Sequence, residues 1–175
     1  MTMPVLEDRV RFVINLSQTN VENQTGGPFG AAIFERDSGR LVSVGVNQVV
    51  ASGCSVAHAE MIAFMMAQVT LGTFDLGGGN LPAHELVTSA QMCAMCMGAT
   101  PWSGVRRVVI AAKSEDVEEL TDFDEGPRMA DWRQQLEARG IEVIEGLLRD
   151  EARLVLAGYA SSEGVIYNGR GGHEL

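Results

Sequence analysis

The stretch that decides the fold is residues 85–112, ELVTSAQMCAMCMGATPWSGVRRVVIAA. Residues 85–88 form a short run typical of a strand, and residues 107–112 form a second run that is rich in valine and isoleucine and suited to full burial. Between them, residues 92–102 are predicted to form a short helix. A strand, a helix and a strand in succession predict that the two strands pair in parallel.

The flanking segments extend this unit into a larger sheet. Residues 31–34 and 41–46 are β-rich and flank the turn sequence Asp37-Ser38-Gly39-Arg40, which predicts a hairpin, and residues 141–144 predict a last strand. Helices are expected over residues 5–18, 58–71, 130–139 and 150–161. Since residues 58–71 are apolar nearly all round, that helix should have little exposed face. We therefore expect one domain over residues 1–175, a three-layer α/β/α sandwich with a mixed five-stranded sheet.

Composition excludes several classes of protein. The 175 residues carry 23 acidic and 13 basic side chains, a net charge of −10, and the basic residues are scattered, so avid binding to nucleic acid is not expected. No apolar run approaches the roughly 20 residues that cross a bilayer, and none near the N-terminus resembles a secretory signal, which predicts a cytoplasmic protein without a membrane span. His84 and His173 are interpreted as surface residues.

Two short motifs contain residue types that bind zinc. His58-Ala59-Glu60 and Cys93-Ala94-Met95-Cys96 each stand at the predicted start of a helix. Sulfurs three residues apart on a helix point the same way, so both can reach one ion, and the positive end of a helix favours thiolates. His58, Cys93 and Cys96 supply three ligands, whereas a closed structural zinc site takes four, so the count predicts a catalytic site with one place for water.

Glu60 stands two residues after the histidine, where it can carry protons beside that water without binding the metal. A lone C-x-x-C is a weak signal, and an isolated histidine is often only a buried core residue. The two motifs at two helix starts support each other. A non-enzymatic alternative is a zinc-stabilised binding module, which would need a fourth ligand such as Cys54.

The chain resembles the cytidine deaminase-like superfamily along most of its length. The residues that carry the resemblance are Gly27-Pro28-Phe29-Gly30, Asn47, Ala57-His58-Ala59-Glu60, Trp102 and Phe123-Asp124-Glu125-Gly126-Pro127, which are most similar to bacterial guanine deaminases, including the branch that also accepts triazines such as ammeline. One departure is Met92, which stands where the family usually has proline before the first cysteine.

The resemblance implies a zinc-dependent hydrolytic deaminase that converts guanine to xanthine and ammonia. Ammeline remains open as a substrate, and a transfer-RNA adenosine deaminase or another cytosine or nucleoside deaminase is the competing enzyme class. A polyanionic substrate fits a chain of net charge −10 poorly.

The resemblance also implies roles for individual residues. Phe29 and Trp102 would flank a flat heterocycle, and Asn47 would bind its polar edge beside Ala57. Glu125 would be a second catalytic carboxylate. The tail, residues 162–175, would close the active site with Tyr167 as a lid residue. A homodimer is expected, and whether the tail is exchanged between its subunits stays open.

Overall fold

One mixed sheet of five strands organises the computed structural model, which describes residues 1–169. The strands are β1 Gly30–Glu35, β2 Leu41–Val46, β3 His84–Ala90, β4 Arg107–Ala112 and β5 Glu142–Glu145. Their spatial order is β2-β1-β3-β4-β5. β1 pairs antiparallel with β2 and β3, whereas β3 and β4, and β4 and β5, pair in parallel. The predicted hairpin and the predicted parallel unit are both confirmed.

Seven helices lie among the described residues. They are α1 Leu6–Glu22, α2 Val49–Ser52, α3 Ala59–Leu71, α4 Ala94–Ser103, α5 Ser114–Leu120, α6 Trp132–Glu137 and α7 Arg149–Ser161. The sequence did not predict α2 and α5. In α5 the carboxylate of Asp116 accepts the Lys113 amide at the N-terminus, while Val117 is buried against the sheet. None of the helices within residues 1–169 combines the length and apolar character that a membrane span requires.

Alternating side chains of the strands form two cores, one on each face of the sheet. Ile33, Leu86 and Val108 point to the face that carries α3, α4 and α6. Their neighbours, such as Phe34 and Val87, point to the face that carries α1, α5 and α7. This alternation is the period-two pattern of strands buried on both sides. The expected α/β sandwich with a mixed five-stranded sheet is confirmed.

Two expectations about burial are wrong. α3 is not covered all round, because Met65, Met66 and Val69 are 55%, 48% and 77% exposed on its outer side. Apolar periodicity places a helix against the sheet but does not show what covers its other face. His84 is fully buried, because it begins a central strand, and its Nδ1 lies 2.7 Å from the Leu76 carbonyl. His173 lies outside the described residues.

A buried ion pair joins α1 to the centre of the sheet. Glu85 on β3 is fully buried, and its two oxygens accept hydrogen bonds from Arg9 at 2.5 Å and Arg107 at 2.6 Å. Arg9 also donates to the carbonyls of Met3 and Arg36. This network fixes the start of the chain against β3. Because Arg9 is 3% exposed, its charge depends on Glu85 for compensation.

We expect Glu85→Gln to lower the free energy of unfolding by about 3–5 kcal/mol, because it leaves a buried guanidinium uncompensated. Glu142→Gln is the matched control, since Glu142 is 55% exposed and lies 3.8 Å from Arg107. That exposed pair should contribute less than about 1 kcal/mol. Urea unfolding monitored by circular dichroism measures both, and equal small losses would contradict the role of the buried pair.

Candidate active site

Two helix N-termini face each other beyond the carboxyl end of β3. His58 is the N-cap residue of α3 and Cys93 is the N-cap residue of α4. Both have extended backbone, and neither side chain caps its own helix, so the imidazole and the thiol are free to point elsewhere. Cys96 follows one turn into α4 and is fully buried. The fold therefore brings together two motifs that are 35 residues apart in the chain.

The geometry of these three side chains fits a tetrahedral zinc ion. His58 Nδ1 lies 3.5 Å from Cys93 Sγ, and the three potential ligand atoms all lie within 4.8 Å of one another. A nitrogen about 2.1 Å and a sulfur about 2.3 Å from one tetrahedral zinc are about 3.6 Å apart. The donor set of one imidazole and two sulfurs also suits zinc. His58, Cys93 and Cys96 could hold the ion while leaving a fourth position open.

The electrostatics at the helix ends favour a thiolate. Hydrogen bonds from the Cys96 thiol and from His58 lower the pKa of Cys93 to about 4, against the opposing effect of burial. Burial lowers the pKa of His58, but its hydrogen bond to Cys93 and the negative charges of Glu60 and Cys93 outweigh this and raise it. The positive end of the α4 dipole adds to this effect at the sulfurs. A cation is therefore well matched to this position.

Glu60 lies in the first turn of α3 on the same side as the cluster. Its side chain is 6% exposed, and burial together with the charge of Cys93 raises its pKa to about 7. A carboxyl group with a pKa near neutrality can both accept and donate a proton at physiological pH. Glu60 has the position and the acidity of a proton carrier beside the three potential ligands.

Glu125 approaches the cluster from the loop between α5 and α6. It is 7% exposed, and burial together with the charges of Cys93 and Glu60 raises its pKa to about 8. Its backbone carbonyl accepts the Ala94 amide at 3.0 Å, so the loop is joined directly to the start of α4. The acidic stretch is therefore not only a solvated loop, because it delivers a buried carboxyl group to the site.

A cavity of about 180 Å³ opens between these groups. Phe29, Asn47 and Tyr167 line it together with His58, Glu60, Cys93 and Glu125. The ring of Phe123 lies 5.2 Å from that of Phe29 and 4.7 Å from that of Tyr167, which builds an aromatic wall. Drug-sized ligands occupy pockets of roughly 300–1,000 Å³, so this cavity suits a smaller molecule.

Polar atoms without a protein partner concentrate in this cavity. Among residues 1–169, five buried side-chain polar atoms have no partner, and three of them belong to lining residues: Asn47 Nδ2, Glu125 Oε2 and Tyr167 Oη. Asn47 Oδ1 accepts the Val49 amide at 3.3 Å, which leaves its amino group as a free donor. Since buried polar groups normally have partners, these atoms mark a binding surface for a polar ligand.

Two residues expected at the site lie elsewhere. Trp102 is 85% exposed near the C-terminal end of α4 and does not line the cavity. The cysteine pair is at the start of that helix, so a tryptophan at its far end points to another surface. Ala57 precedes His58 but also stays outside the lining.

Cys54 is exposed and does not join the potential zinc ligands. Met92, in the position where the family usually has proline, is buried and accepts a hydrogen bond from the Thr100 hydroxyl at 3.2 Å. It precedes the N-cap of α4 instead of lying in the first turn. The three potential ligands converge despite this substitution.

Six lining residues were not among the predicted site residues: Ser55, Gln91, Phe123, Asp124, Asn168 and Gly169. Phe123 and Asn168 each stand close to a predicted residue, Glu125 and Tyr167 respectively, and Gln91 stands two residues before Cys93. The sequence signal that could have identified these residues is their position close to a motif. The Gln91 side chain accepts the Ser114 amide at 3.2 Å and so links the site to α5.

Comparison with known proteins agrees with this geometry. Residues 4–112 match the cytidine and deoxycytidylate deaminase zinc-binding region. Guanine deaminase of Bacillus subtilis is 34% identical over 119 residues, which is 68% of this chain and 71% of that protein.

Two solved structures are more similar still. A structure in complex with 2,6-diaminopurine is 52% identical and covers 97% of this chain and 89% of its own, with a TM-score of 0.91. Guanine deaminase from Nitrosomonas europaea is 51% identical, with coverage of 92% and 87% and a TM-score of 0.89. The protein is thus a zinc-dependent deaminase by its fold, its cluster of potential ligands and its relatives, and it belongs to the cytidine and deoxycytidylate deaminase family.

Proposed function

We propose that this protein deaminates guanine to xanthine and ammonia. The observation that carries the proposal is the pair of buried carboxyl groups, Glu60 and Glu125, that face a three-ligand cluster across one small cavity. Hydrolytic removal of an amino group needs proton transfer at the attacking water and at the leaving nitrogen. The names of the similar proteins, two of them guanine deaminases, support guanine as the base.

Glu60 carries the first proton in this proposal. Zinc held by His58, Cys93 and Cys96 would lower the pKa of water toward neutrality at the open fourth position. Glu60 takes the proton that the water loses and passes it to a ring nitrogen of the base as the carbon–oxygen bond forms. Its pKa of about 7 suits a group that must accept and then release a proton.

Glu125 serves the leaving group. The amino group must depart as ammonia, which needs a proton on that nitrogen while Glu60 is engaged at the ring. Burial raises the pKa of Glu125 to about 8, so this carboxyl group is protonated near neutral pH and can donate. As the carbon–nitrogen bond breaks, the hydroxyl left on the ring loses its proton to Glu60 and becomes the carbonyl of xanthine. Transfer of that proton to Glu125 restores both carboxyl groups.

The other lining residues recognise the base. Phe29 offers an aromatic surface, the free amino group of Asn47 donates to an acceptor on the ring, and Tyr167 covers the cavity. The small volume and the cover by residues 167–169 favour a free base over a nucleotide within an RNA chain. This argues against the transfer-RNA adenosine deaminase alternative.

Ammonia release from guanine, ammeline, adenine, cytosine, cytidine and guanosine tests the substrate assignment. We expect guanine to have the highest kcat/KM, and a preference for any nucleoside would contradict the proposal. Glu60→Gln is the control, because it removes proton transfer and leaves the potential ligands in place. Its turnover should fall by about 10²–10⁴-fold with zinc content unchanged.

The zinc ligands can be tested by replacing cysteines. We expect Cys96→Ala to lose the metal and to lower stability, because metal binding and folding are coupled. Cys54→Ala is the matched control, since Cys54 is exposed and outside the cluster, and it should retain both metal and activity. Metal analysis by mass spectrometry measures the outcome. Zinc loss in the Cys54 variant would instead support a four-ligand binding module.

Neighbouring carboxylates provide a test of Glu125. We expect Glu125→Gln to lower kcat more than it raises KM, because it removes a proton needed in the transition state. Asp124→Asn should stay close to wild type, because Asp124 Oδ1 accepts the Gly126 amide at 2.8 Å and asparagine keeps that acceptor. Steady-state kinetics on guanine decides. Equal, near-wild-type rates in both variants would assign the leaving-group proton to another donor.

We also propose that the protein is a homodimer. Large apolar side chains are exposed on the α3 and α4 side of the sheet: Met65, Val69, Phe74 and Trp102, the last two each 85% exposed. The backbone segments that carry Phe74 and Trp102 are adjacent, because the Leu76 amide donates to the Ser103 carbonyl at 2.8 Å. An apolar surface of this kind is typical of an interface, and a second copy is its natural occupant.

We expect Val69→Glu to give a monomer, because a charge is costly to bury in an apolar interface. Leu154→Glu is the matched control, because Leu154 is 74% exposed on α7, on the opposite side of the sheet. Light scattering at micromolar concentration measures both. If the wild-type protein is a monomer, or if only the Leu154 variant dissociates, the proposed interface is wrong.

A cytoplasmic location completes the proposal. The three cysteines, Cys54, Cys93 and Cys96, are all free thiols in the structure. Two of them belong to the cluster, which requires reduced sulfur to hold a metal. A reducing compartment keeps thiols in that state.

A further inference from the structure

Asn168, in the C-terminal segment, makes two hydrogen bonds with the loop that carries Glu125. Asn168 Nδ2 donates to the Asp122 carbonyl at 2.7 Å, and Asn168 Oδ1 accepts the Asp124 amide at 2.8 Å. An asparagine side chain offers both a donor and an acceptor, so this single residue pairs with two backbone groups on the loop. The next residue of the loop is Glu125.

The backbone around Glu125 is fixed on its other side by α4. The Glu125 carbonyl accepts the Ala94 amide at 3.0 Å, and the Gly126 amide donates to Asp124 Oδ1 at 2.8 Å. Gly126 has φ of +73°, a conformation that favours glycine and turns the chain sharply. The Glu125 side chain is not held in the same way, because its Oε2 has no partner among the described residues. The direction of the carboxyl group therefore depends on how the loop is held.

The same segment covers the cavity. Tyr167, next to Asn168, lies with its ring 4.7 Å from Phe123 and 6.5 Å from His58. Because adjacent residues make the two sets of contacts, the tail cannot cover the cavity in this way without also bonding to the loop. Covering the base and fixing the loop become one event.

We propose that Asn168 is a positioning residue, which orients Glu125 toward the leaving amino group when the tail covers the bound base; this rests on the proposed deaminase function. Both polar ends of Asn168 are used by the loop backbone, so it acts through Glu125 and not on the substrate. A base would gain its proton donor only in the closed site. Water would be excluded at the same moment.

A variant of Tyr159 distinguishes the positioning of Glu125 from general anchoring of the tail. Its hydroxyl donates to the Val165 carbonyl at 2.6 Å, so it holds the same segment without a hydrogen bond to residues 122–126. Tyr159→Phe removes that bond and keeps the ring that stacks on Phe123. It is the matched control for Asn168→Ala.

A double-mutant cycle tests the proposal with guanine as substrate. Asn168→Ala should lower kcat by about 10- to 100-fold with a much smaller change in KM, because it misplaces a proton donor. In a Glu125→Gln background the same change should have little further effect, since the group that it positions is already altered. Tyr159→Phe should have the same effect in both backgrounds. Equal losses from Asn168→Ala in both backgrounds would overturn the proposal.

Asn168→Asp should not restore the rate, because it keeps an acceptor for the Asp124 amide but places a carboxylate oxygen against the Asp122 carbonyl, to which Nδ2 donates in the wild type. A wild-type rate in Asn168→Asp would contradict the role of that donor.

Amide hydrogen exchange in the zinc-loaded protein gives a readout that does not depend on turnover. Asn168→Ala should speed exchange at Asp124 and Gly126, whereas Tyr159→Phe should not. Unchanged exchange at these two amides would overturn the proposal whatever the substrate is. A wild-type protein that deaminates no base in the panel would overturn the proposed function, while the exchange measurement would still decide whether Asn168 holds the loop.

Discussion

The convergence of two helix N-termini, whose N-cap side chains meet with His58 Nδ1 3.5 Å from Cys93 Sγ, is the constraint on which the rest of the site depends. Two positive helix ends repel each other unless negative charge lies between them. The Cys93 thiolate supplies negative charge there, because a hydrogen bond from the Cys96 thiol lowers the pKa of Cys93 to about 4. The sheet makes the approach possible, because β3 is central and its carboxyl end delivers Cys93 to α4, while the hairpin delivers the chain to α3.

Much of this arrangement could be predicted because strands and ligand motifs are local signals. The apolar run at 107–112 predicted β4 with its observed bounds, and the motif spacing predicted the potential ligands. α5 escaped prediction because four of its seven residues are acidic and Val117 is its one buried apolar residue. The exposure of Trp102 was not predicted because a motif match carries no information about solvent exposure, and the burial of His84 depends on the segment that folds over it.

Burial and nearby charge explain why Glu60 and Glu125 differ in acidity from other carboxyl groups of the protein. Glu60 and Glu125 are both buried at one cavity near the charge of Cys93, and both effects favour the protonated form. The partly buried Glu35, by contrast, has its pKa lowered by hydrogen bonds from Arg40 and Ser38. The acidity of a carboxyl group in this protein therefore depends on whether it is hydrogen-bonded to arginine or buried near the Cys93 thiolate.

The unpaired polar atoms of the cavity connect stability with selectivity. Asn47 Nδ2, Tyr167 Oη and Glu125 Oε2 each give up protein partners that a buried group normally has, so a ligand that pairs with them relieves a cost already present in the fold. A base of the same size that lacks the matching groups leaves that cost in place. Sites built on hydrogen bonds to a substrate can reject such analogues by about 10⁴–10⁵-fold, whereas aromatic walls discriminate weakly among flat rings of equal size. Selectivity among bases should therefore reside in these three atoms, and Phe29 should contribute affinity that is common to all of them.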